Sequence, residues 1–545
     1  MSKVDIQKNF FGRRNLLDLF GRRVSDLKEG YRQNVALLGP RFSGKSSLLQ
    51  KFLTELDDEA VISIYLNLDT KDVHYFFSKF MGSLLYNFSR TRGLPLHEDL
   101  SLLMQSVQRW VPLTVEHMKR IQASVARRKF ADSIRDLLTL PEIFTVETGK
   151  FCVIVLDEFQ CLEDMDMPDV FVELGKKIMT QKRCLYLVTS SLGNTAKTIL
   201  SEKLSLLFGN FEVIEVGPFD LRTSQGFLKS NLKEIELGEN LKNFLIDFTG
   251  GHPFYLQIIS HELMHLSAVH RQNEIFLPLM IQAIENTIFS RWGVLGRHFQ
   301  LVVNYLSSVK GNKAVVPVLF ALVNGKHKLV EISQYTHIGK SFVSGKLNRL
   351  MELGVVVKNG NFYNIKDKLL KYWIKYVFQR RLKAIDLSLE VLQHQFRDEM
   401  EYLISSFQVI SQRDLSSRIV ELLHCFDNES FQLNGRRYRL PLFQEITSFK
   451  PQNLMETHFD IIKAAAEEEI WYVVLKEESL FENDVNAFLN ELKKIEKKPQ
   501  RRVIISLNEL DANARLRALQ EKMWIWNEAE LNTLLNLYDK PYIVK

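Results

Sequence analysis

Residues 39–46 read Gly-Pro-Arg-Phe-Ser-Gly-Lys-Ser, between the apolar run NVALL (34–38) and the helical pattern SSLLQKFL (46–53). This octet fits the pattern G-x-x-x-x-G-K-[ST], in which glycines let the backbone wrap closely around phosphate groups. A preceding strand and a following helix point backbone N–H groups and the helix N-terminus at an anion. The sequence therefore predicts a phosphate-binding loop. Its candidate contact residues are Gly39, Pro40, Arg41, Phe42, Ser43, Gly44, Lys45, Ser46 and Ser47.

An acidic pair on a second apolar run complements this loop. The stretch FCVIVLDEFQ (151–160) places Asp157 and Glu158 directly after a predicted buried strand. We expect Lys45 to reach the β- and γ-phosphates of ATP, while Ser46 and Asp157 hold Mg²⁺. Glu158 is expected to polarise the attacking water as general base. Together the two segments predict hydrolysis of a nucleotide rather than its mere storage.

Alternating strand and helix signals fill the first third of the chain. Short β-branched runs bounded by polar or turn residues are typical of strands buried on both faces. Helical patterns lie between them, including 46–56 and 170–180, and residues 95–140 read as a helical insertion. We therefore predict an α/β fold with helices on both sides of a parallel sheet. The five predicted strands are 34–38, 60–68, 151–156, 184–188 and 211–216.

These motifs resemble the archaeal-type P-loop ATPases of the STAND branch of AAA-related proteins. The resemblance spans roughly residues 10–378 and rests on FFGRRNLLDLF (10–20), the phosphate loop, VLDEFQCL (155–162), the strand ending in TSS, and TGGHPFYL (249–256). It implies that Gly12 and Arg13 lie near the base and ribose, and that Pro253 opens a lid helix over the nucleotide. Ser190 and Ser191 replace the Gly-Ser of the family's sensor strand. They are expected to contact the γ-phosphate or the water, or simply to cap the strand.

Length and composition agree with a globular chain of several domains. The 545 residues are 46% hydrophobic and 25% charged, which excludes a mostly disordered chain or a coiled-coil rod. The longest apolar runs, such as 314–323, are about half the ~20 residues that span a bilayer. The start of the chain shows no apolar segment of a signal peptide, and four cysteines are too few for a disulfide framework. We expect a cytoplasmic protein with no membrane association.

We predict four domains from these patterns: a P-loop core (1–220), a helical lid (221–292), a winged-helix domain (293–383) and a C-terminal α/β domain (384–545). No strand is predicted within 221–289. Residues 310–383 contain fifteen Lys or Arg and three Asp or Glu, a net charge of +12, whereas the rest of the chain sums to −6. One basic block on an otherwise acidic chain is typical of a surface that binds a polyanion. A solvated basic face is the alternative.

Within this block, residues 328–365 read as helix, turn, helix and hairpin, with Asn359-Gly360 as the turn signal. The second helix, 340–353, is predicted to turn Phe342, Leu347 and Leu350 inward. Candidate DNA contacts are Lys340, Ser344, Lys346, Arg349 and, on the wing, Lys358. In STAND-type proteins a winged helix also serves as an intramolecular clamp on the nucleotide. The charge excess favours DNA, since a clamp requires no such excess.

The last domain resembles, through the same family, a PD-(D/E)xK (restriction-endonuclease-like) nuclease with a degraded site. Such a site needs two acids for Mg²⁺ and a lysine that orients water. Asp460 and Lys476 fit the first acid and the lysine, but Val474 stands where the second acid belongs, with Glu477 or Glu478 as candidate substitutes. A single carboxylate holds a divalent metal poorly. We therefore expect binding rather than cleavage, with an unrelated α/β cap as the alternative.

A competing motif lies in the predicted lid. His261-Glu262-Leu263-Met264-His265 matches H-E-x-x-H, which on a helix places two histidines on one face to bind Zn²⁺, and Glu285 is a candidate third ligand. The ATPase resemblance already explains this segment, so we interpret these residues as polar positions on the lid helix.

Three functions follow as hypotheses. The leading one is an ATP-hydrolysing switch that binds DNA. A signalling ATPase regulated by a protein partner or by self-association is the first alternative, and an ATP-gated DNA nuclease is the second.

Overall fold

We describe the protein from a computed structural model. It describes residues 10–165, 167–204, 211–308, 314–384, 387–433, 436–449, 459–476, 478–493, 499–508 and 510–543. The chain divides into two compact units, one formed by Met1–Phe219 with His252–Phe254 and Glu352–Gly354, the other by the remaining residues. No helix among the described residues is both long and apolar enough to cross a membrane.

Apolar residues on both faces build a five-stranded parallel sheet in the first unit. The strand order is β2-β3-β4-β1-β5, and every neighbouring pair is parallel. This confirms the predicted α/β class with its parallel sheet. The strands are β1 (Asn34–Leu38), β2 (Val61–Asn67), β3 (Phe151–Asp157), β4 (Cys184–Ser190) and β5 (Phe211–Glu215).

Helices cover both faces of this sheet. One face packs a core around Phe80, Leu84 and Ile154, and the other packs a core around Phe20, Leu48 and Val155. The predicted insertion at 95–140 forms three helices. The helices are α1 (Arg14–Lys28), α2 (Lys45–Glu55), α3 (Val73–Thr91), α4 (Leu100–Val107), α5 (Pro112–Ala126), α6 (Phe130–Thr148), α7 (Val170–Thr180) and α8 (Gly193–Thr198), with a 3₁₀ turn at Phe159–Asp164 and a π turn at Ile199–Lys203.

The strand order places the phosphate loop where the chain reverses its direction across the sheet. From β1 the chain crosses to the far edge at β2, returns through β3 to β4 beside β1, and ends on the other side at β5. In open parallel sheets, ligands bind at the carboxyl ends of the strands near such a switch point. The carboxyl ends of β1, β3 and β4 thus bring the loop, the acidic pair and the TSS segment to one edge.

The second unit begins with a helical region. Its elements are α9 (Leu221–Leu232), α10 (Glu239–Thr249), α11 (Pro253–His270) and α12 (Leu277–Ile284), followed by a π turn at Glu285–Phe289. The expectation of no strand here is wrong in one detail, because Glu236–Leu237 (β6) and Glu274–Ile275 (β7) form a short parallel pair. Two residues in each strand give no periodicity that a sequence could reveal.

Helices and one antiparallel hairpin follow. They are α13 (Val294–Ser308), α14 (Val315–Val323), α15 (Leu329–Thr336), α16 (Lys340–Glu352), β8 (Val356–Asn359), β9 (Phe362–Ile365), α17 (Lys368–Trp373), a π turn at Ile374–Phe378 and α18 (Gln379–Lys383). The inward placement of Phe342 is wrong, because this side chain is 52% exposed while its neighbour Val343 is fully buried. Leu347 and Leu350 are buried as expected, and they fix a helical stripe that includes Val343.

The chain closes with a mixed sheet in the order β12-β13-β14-β15-β16, antiparallel up to β14 and parallel beyond it. Its core combines aliphatic side chains with large aromatic ones, including the fully buried Trp471 and Trp526. The elements are α19 (Leu389–Ser411), α20 (Leu415–Leu423), β10 (Glu429–Leu433), β11 (Arg436–Leu440), β12 (Glu445–Phe449), β13 (Asp460–Ala465), β14 (Ile470–Lys476), α21 (Glu482–Lys493), β15 (Arg501–Ser506), α22 (Ala512–Gln520), β16 (Trp524–Trp526) and α23 (Glu528–Leu537).

Candidate functional sites

Two positions of the phosphate loop favour glycine, one because of limited space and the other because of its backbone conformation. A Cβ on Gly39 would lie 2.1 Å from the carbonyl oxygen of Val216, so the loop passes directly against the end of β5. Gly44 has φ of +91° and caps the N-terminus of α2 in the left-handed region, which is costly for other residues. Both constraints shape the backbone so that the loop wraps the start of α2.

Lys45 lies across the mouth of this loop. Its Nζ donates to the carbonyl oxygens of Gly39 and Pro40, each at 2.9 Å, and lies 3.9 Å from Oε1 of Glu158. The side chain is almost fully buried, and this burial lowers the pKa of Lys45. A buried ammonium held at the start of a helix is well placed to receive anionic oxygens.

The loop also contains a buried hydroxyl that suits an additional acceptor. Ser43 is fully buried, and its Oγ has no hydrogen-bond partner among the described residues. Unpaired buried polar atoms are uncommon in native proteins, so each calls for an explanation. A phosphate oxygen in the loop would satisfy it. The side chains of Ser46 and Asp157 present oxygen atoms, the hard donors that Mg²⁺ prefers, so the residues present fit a nucleotide with Mg²⁺.

Asp157 is held at the end of β3 by two hydroxyls from the flanking strands. The hydroxyl of Tyr65 on β2 donates to Oδ2 at 2.7 Å, and the hydroxyl of Thr189 on β4 donates to Oδ1. Burial and the neighbouring carboxylate raise the pKa of Tyr65, so its hydroxyl stays protonated as a donor. Sequence reasoning missed Tyr65, although a single aromatic residue with a polar hydroxyl in a largely aliphatic strand was a signal for it.

Glu158 is fixed by three donors on one carboxylate oxygen. Its Oε2 accepts from the backbone N–H of Ser191 at 2.9 Å, from the Ser191 hydroxyl at 2.7 Å and from Nε2 of Gln160 at 2.7 Å. Its backbone takes the left-handed conformation, with φ of +58°, and donates to Oγ1 of Thr189. The other oxygen, Oε1, is the one nearest to Lys45. The carboxylate is thus oriented with Oε1 toward Lys45 of the loop.

The two sensor candidates differ in their contacts. Ser190 forms a local turn, in which its Oγ accepts from the backbone N–H of Leu192 at 3.0 Å. Ser191 instead holds Glu158. The geometry of Ser190 agrees with a strand-end cap, and a contact of either residue with the γ-phosphate stays a prediction.

Arg13, which the resemblance placed near the base, braces the loop itself. Its guanidinium donates to the carbonyl oxygens of Ser43 at 2.5 Å and Gly217 at 2.7 Å, and lies 5.2 Å from the ring centre of Phe219. Burial lowers the pKa of Arg13 to about 10. Arg13 follows Gly12, whose φ is +70°. The proposed contacts of these two residues with a nucleotide base stay predictions.

The remaining loop candidates lie at its rim. Arg41 forms an exposed ion pair with Asp69 at 3.4 Å. Phe42 stacks on Phe254, with 4.6 Å between the ring centres, and Pro253 is the first residue of α11. Ser47 is exposed on α2. A role of Pro253 over the nucleotide stays a prediction.

The candidate DNA contacts lie on α16 and β8. Lys340, Arg349 and Lys358 are exposed, whereas Ser344 and Lys346 are half-buried, with the Lys346 ammonium 4.5 Å from the ring centre of Phe342. Basic residues 310 and 313 lie outside the described residues.

The hairpin β8–β9 is bound to the C-terminal part of the chain. The side-chain amide of Asn359 donates to the carbonyl of Gln432 and accepts from its N–H, at 2.9 and 2.5 Å. Phe362 of β9 belongs to the aromatic core around Trp471. The tip of the predicted wing is therefore covered, which leaves α16 and Lys358 on β8 as the exposed parts of the predicted DNA surface.

The residues of the predicted nuclease-like site are held in structural contacts. Lys476 ends β14, buried, and donates to Oδ2 of the buried Asp484 at 2.7 Å. Asp460 begins β13 opposite Leu475 on β14. Val474, which stands where the second acid of the nuclease site belongs, is buried. Glu477 lies outside the described residues. The partner Asp484 was not predicted, because an ion pair across a strand–helix turn leaves no sequence pattern.

Replacement of Lys476 with alanine is expected to lower the free energy of unfolding by about 3 kcal/mol, because it leaves the buried Asp484 carboxylate unpaired. Lys493→Ala, at an exposed site on the same helix as Asp484, is expected to change it by less than about 0.5 kcal/mol. The double variant Lys476→Met with Asp484→Leu should recover most of the loss. Urea unfolding of the three variants is the measurement, and an undiminished stability of Lys476→Ala would show that the pair is not structural.

The H-E-x-x-H residues do not form a metal site in the described parts of the chain. His261 and His265 are exposed on α11, and Glu262 accepts from the side chain of Asn286 at 2.7 Å. Glu285, the candidate third ligand, is paired with Arg397. No group of three metal-ligating side chains is found among the described residues.

No family model matches the chain, and a search among curated proteins gives no match. Solved structures with a similar fold include a Walker-type ATPase of Pyrococcus abyssi, with 19% identity, a TM-score of 0.46 and coverage of 67% of this chain and 96% of that one. The Aeropyrum pernix ORC2 protein is 12% identical with a TM-score of 0.44, and the match covers 70% of this chain and 99% of that one. Cdc6p of Pyrobaculum aerophilum is 12% identical with a TM-score of 0.34, and the match again covers 70% of this chain and 99% of that one. These likenesses are weak, so the fold assignment rests on the strand order and the loop described above.

Proposed function

We propose that this chain is a Mg²⁺-dependent ATP-hydrolysing switch that binds DNA. The main support for the ATPase part is the distance of 3.9 Å between Nζ of Lys45 and Oε1 of Glu158. The two side chains lie at the edge of the parallel sheet where the phosphate loop leads into α2. A cation for the phosphates and an oriented carboxylate for water are, beside the metal ion, two elements that phosphoryl transfer to water uses.

In the proposed reaction the loop amides, Lys45 and the Ser43 hydroxyl bind the phosphate oxygens. Ser46 and Asp157 would hold Mg²⁺, which supplies charge neutralisation on the β- and γ-phosphates when bound. Tyr65 and Thr189 orient the Asp157 carboxylate from both sides. Oε1 of Glu158 accepts a proton from water as the oxygen attacks the γ-phosphorus, while the bond from that phosphorus to the β–γ bridging oxygen breaks and ADP leaves.

Ser191 and Gln160 support this assignment by fixing the base. They occupy Oε2 of Glu158, so that Oε1 remains the oxygen directed toward Lys45. A general base acts efficiently only when it is held within hydrogen-bond reach of the proton that it accepts. The buried hydroxyls around the acidic pair therefore act as positioning groups.

Titration of the purified full chain with ATP and Mg²⁺ tests the proposal, with binding followed by calorimetry and turnover by phosphate release. We expect saturable binding and release of phosphate that requires Mg²⁺. Chelation of the metal should abolish turnover, and readdition of Mg²⁺ should restore it. A chain that binds no adenine nucleotide would contradict the proposal.

The DNA part of the proposal is supported by the charge of residues 310–383 and by the exposed side chains of α16. Lys340 and Arg349 lie on that helix, and Lys358 lies on the following strand. The rival function, in which these elements clamp the nucleotide and a protein partner opens them, gives no reason for a net charge of +12. In the switch that we propose, ATP and ADP favour states that differ in DNA affinity.

Reversal of charge at Arg349 is expected to weaken duplex binding by about tenfold and to reduce the salt slope by about 1, because one phosphate contact is lost and one repulsion is added. Binding should be measured by fluorescence anisotropy between about 50 and 200 mM salt. Lys119→Glu, an exposed site on α5 outside the basic block, is the matched control. Absence of binding at low salt, or an Arg349→Glu variant that binds like wild type, would favour the signalling alternative.

We assign no cleavage to the C-terminal sheet in this proposal. One carboxylate, Asp460, stands at the strand pair, and Lys476 is already paired with Asp484. The nuclease alternative requires Mg²⁺-dependent nicking of plasmid that Asp460→Ala and Lys476→Ala both abolish, and intact plasmid after long incubation would remove it.

A further inference from the structure

A cavity of about 240 Å³ in the second unit is lined by four lysines. Its walls come from α10, from α17 and the π turn after it, from α19, and from residues 536–541 near the end of the described chain. None of these residues belongs to the phosphate loop or to the candidate DNA contacts on α16 and β8, although three of the lysines lie within the basic block 310–383. The lysines are Lys368, Lys371, Lys375 and Lys540.

Three of these lysines share one face of a continuous helical segment. Lys368, Lys371 and Lys375 follow each other at spacings of three and four residues, which places their side chains in line along the helix. Lys540 approaches from the segment that follows α23. The fold thus gathers four ammonium groups from two distant parts of the sequence around one space.

Only two carboxylates face these lysines. Lys368 pairs with Asp247 at 2.6 Å, and Lys371 pairs with Asp539. Lys375 and Lys540 form no ion pair with any described residue. The four lysines and two aspartates that line the cavity therefore leave a net charge of +2.

The two aspartates are further shared with other donors. Asp247 also accepts from the backbone N–H of Tyr542 at 2.8 Å, and Asp539 accepts from Nε2 of His327 at 3.0 Å. The buried Arg418, which donates to the carbonyl of Pro541 at 2.7 Å, adds positive charge nearby. Among the residues that line the cavity, the positive charge is thus not balanced by carboxylates.

Burial makes this excess costly, since each partly desolvated cation needs a compensating anion. The pKa of Lys371 is lowered by its burial, which is the direction expected where positive charge is under-compensated. The rest of the lining is mostly apolar and includes four aromatic residues, Phe244, Tyr372, Tyr376 and Phe407. Burial raises the pKa of Tyr376 to about 12, so its hydroxyl is a neutral donor.

We propose that this cavity binds a small phosphorylated ligand, with its phosphate between Lys371, Lys375 and Lys540. A phosphate group carries about two negative charges at neutral pH and three strong acceptor oxygens, which match the net +2 and the number of available donors. The aromatic lining suits an apolar or ring-bearing remainder of the ligand. The cavity shares no residue with the phosphate loop, so the proposal does not depend on ATP hydrolysis.

Calorimetric titration of the full chain carrying Lys45→Ala tests the proposal, because that substitution is expected to weaken phosphate binding at the loop strongly. The probes are inorganic phosphate and phenyl phosphate. We expect both to bind, and we expect Lys375→Gln with Lys540→Gln to weaken binding by about 100-fold, about tenfold for each lost charge-assisted hydrogen bond. Tighter binding of phenyl phosphate would indicate a phosphate ester, and equal binding would indicate free phosphate.

Controls keep the outcome independent of folding. Lys366→Gln, at an exposed site two residues before Lys368, should bind the probes unchanged, and Lys375→Arg should retain most of the affinity. Unfolding curves of each variant verify that it is folded. Absence of probe binding in the Lys45→Ala chain, or undiminished binding in the Lys375/Lys540 double variant, would overturn the proposal and leave the ATPase assignment untouched.

Discussion

Replacement of Lys45 with alanine is expected to weaken ATP binding by about 100-fold or more and to abolish measurable turnover. The ammonium is buried at the start of α2 and lies within 3 Å of two loop carbonyls, so its place in the loop is fixed before any nucleotide arrives. Each charge-assisted hydrogen bond to a phosphate oxygen contributes about 1.5–3 kcal/mol, and about 2.7 kcal/mol corresponds to 100-fold. Calorimetry with ATP and Mg²⁺ measures the change.

The matched control for this experiment is Lys79→Ala, which removes an exposed lysine from α3 of the same unit. It should bind and hydrolyse ATP like wild type. Removal of the Lys45 ammonium also leaves Glu158 without its nearby cation, so the unfolding midpoint of Lys45→Ala should be recorded beside the binding data. A folded Lys45→Ala protein with unchanged ATP affinity would contradict the assignment of the loop.

The sheet of the first unit was predictable because its strands are short, apolar and separated by helical patterns. Such runs leave a parallel sheet covered on both faces as the main arrangement that buries them. The loop was predictable for a related reason. Its glycines, Gly39 and Gly44, occur where the backbone geometry disfavours other residues, so the presence of glycine at these positions is itself visible in the sequence.

Contacts between distant strands were not predictable from the sequence. Tyr65 and Thr189 lie 92 and 32 residues from Asp157 along the chain, and they reach it only because β2, β3 and β4 are neighbours. The same holds for the lysine cavity, which unites side chains from two distant segments. The Lys476–Asp484 pair spans only eight residues, but an ion pair across a strand–helix turn leaves no sequence pattern. Phe342 shows a local failure, since a one-residue shift of the apolar stripe put Val343 inside instead.

Substitution of Glu158 by glutamine is expected to lower the rate of ATP hydrolysis by about 100- to 1,000-fold while ATP still binds. A positioned general base contributes about this much to a proton-transfer step. Glutamine keeps the size of the side chain and an oxygen that can accept from Ser191, so the local structure should persist. It also removes a negative charge 3.9 Å from the Lys45 ammonium, where the phosphates are proposed to lie, so ATP affinity should not fall.

Single-turnover phosphate release and calorimetric ATP binding separate these two effects. Glu163→Gln is the matched control, because this glutamate lies in the 3₁₀ turn that follows Glu158 and pairs with Lys203 at the surface. It undergoes the same chemical change without touching the loop, and it should hydrolyse ATP at the wild-type rate. If Glu158→Gln hydrolyses ATP as fast as Glu163→Gln, the water is activated elsewhere, and the carboxylate held by Ser191 and Gln160 serves only to balance the charge of Lys45.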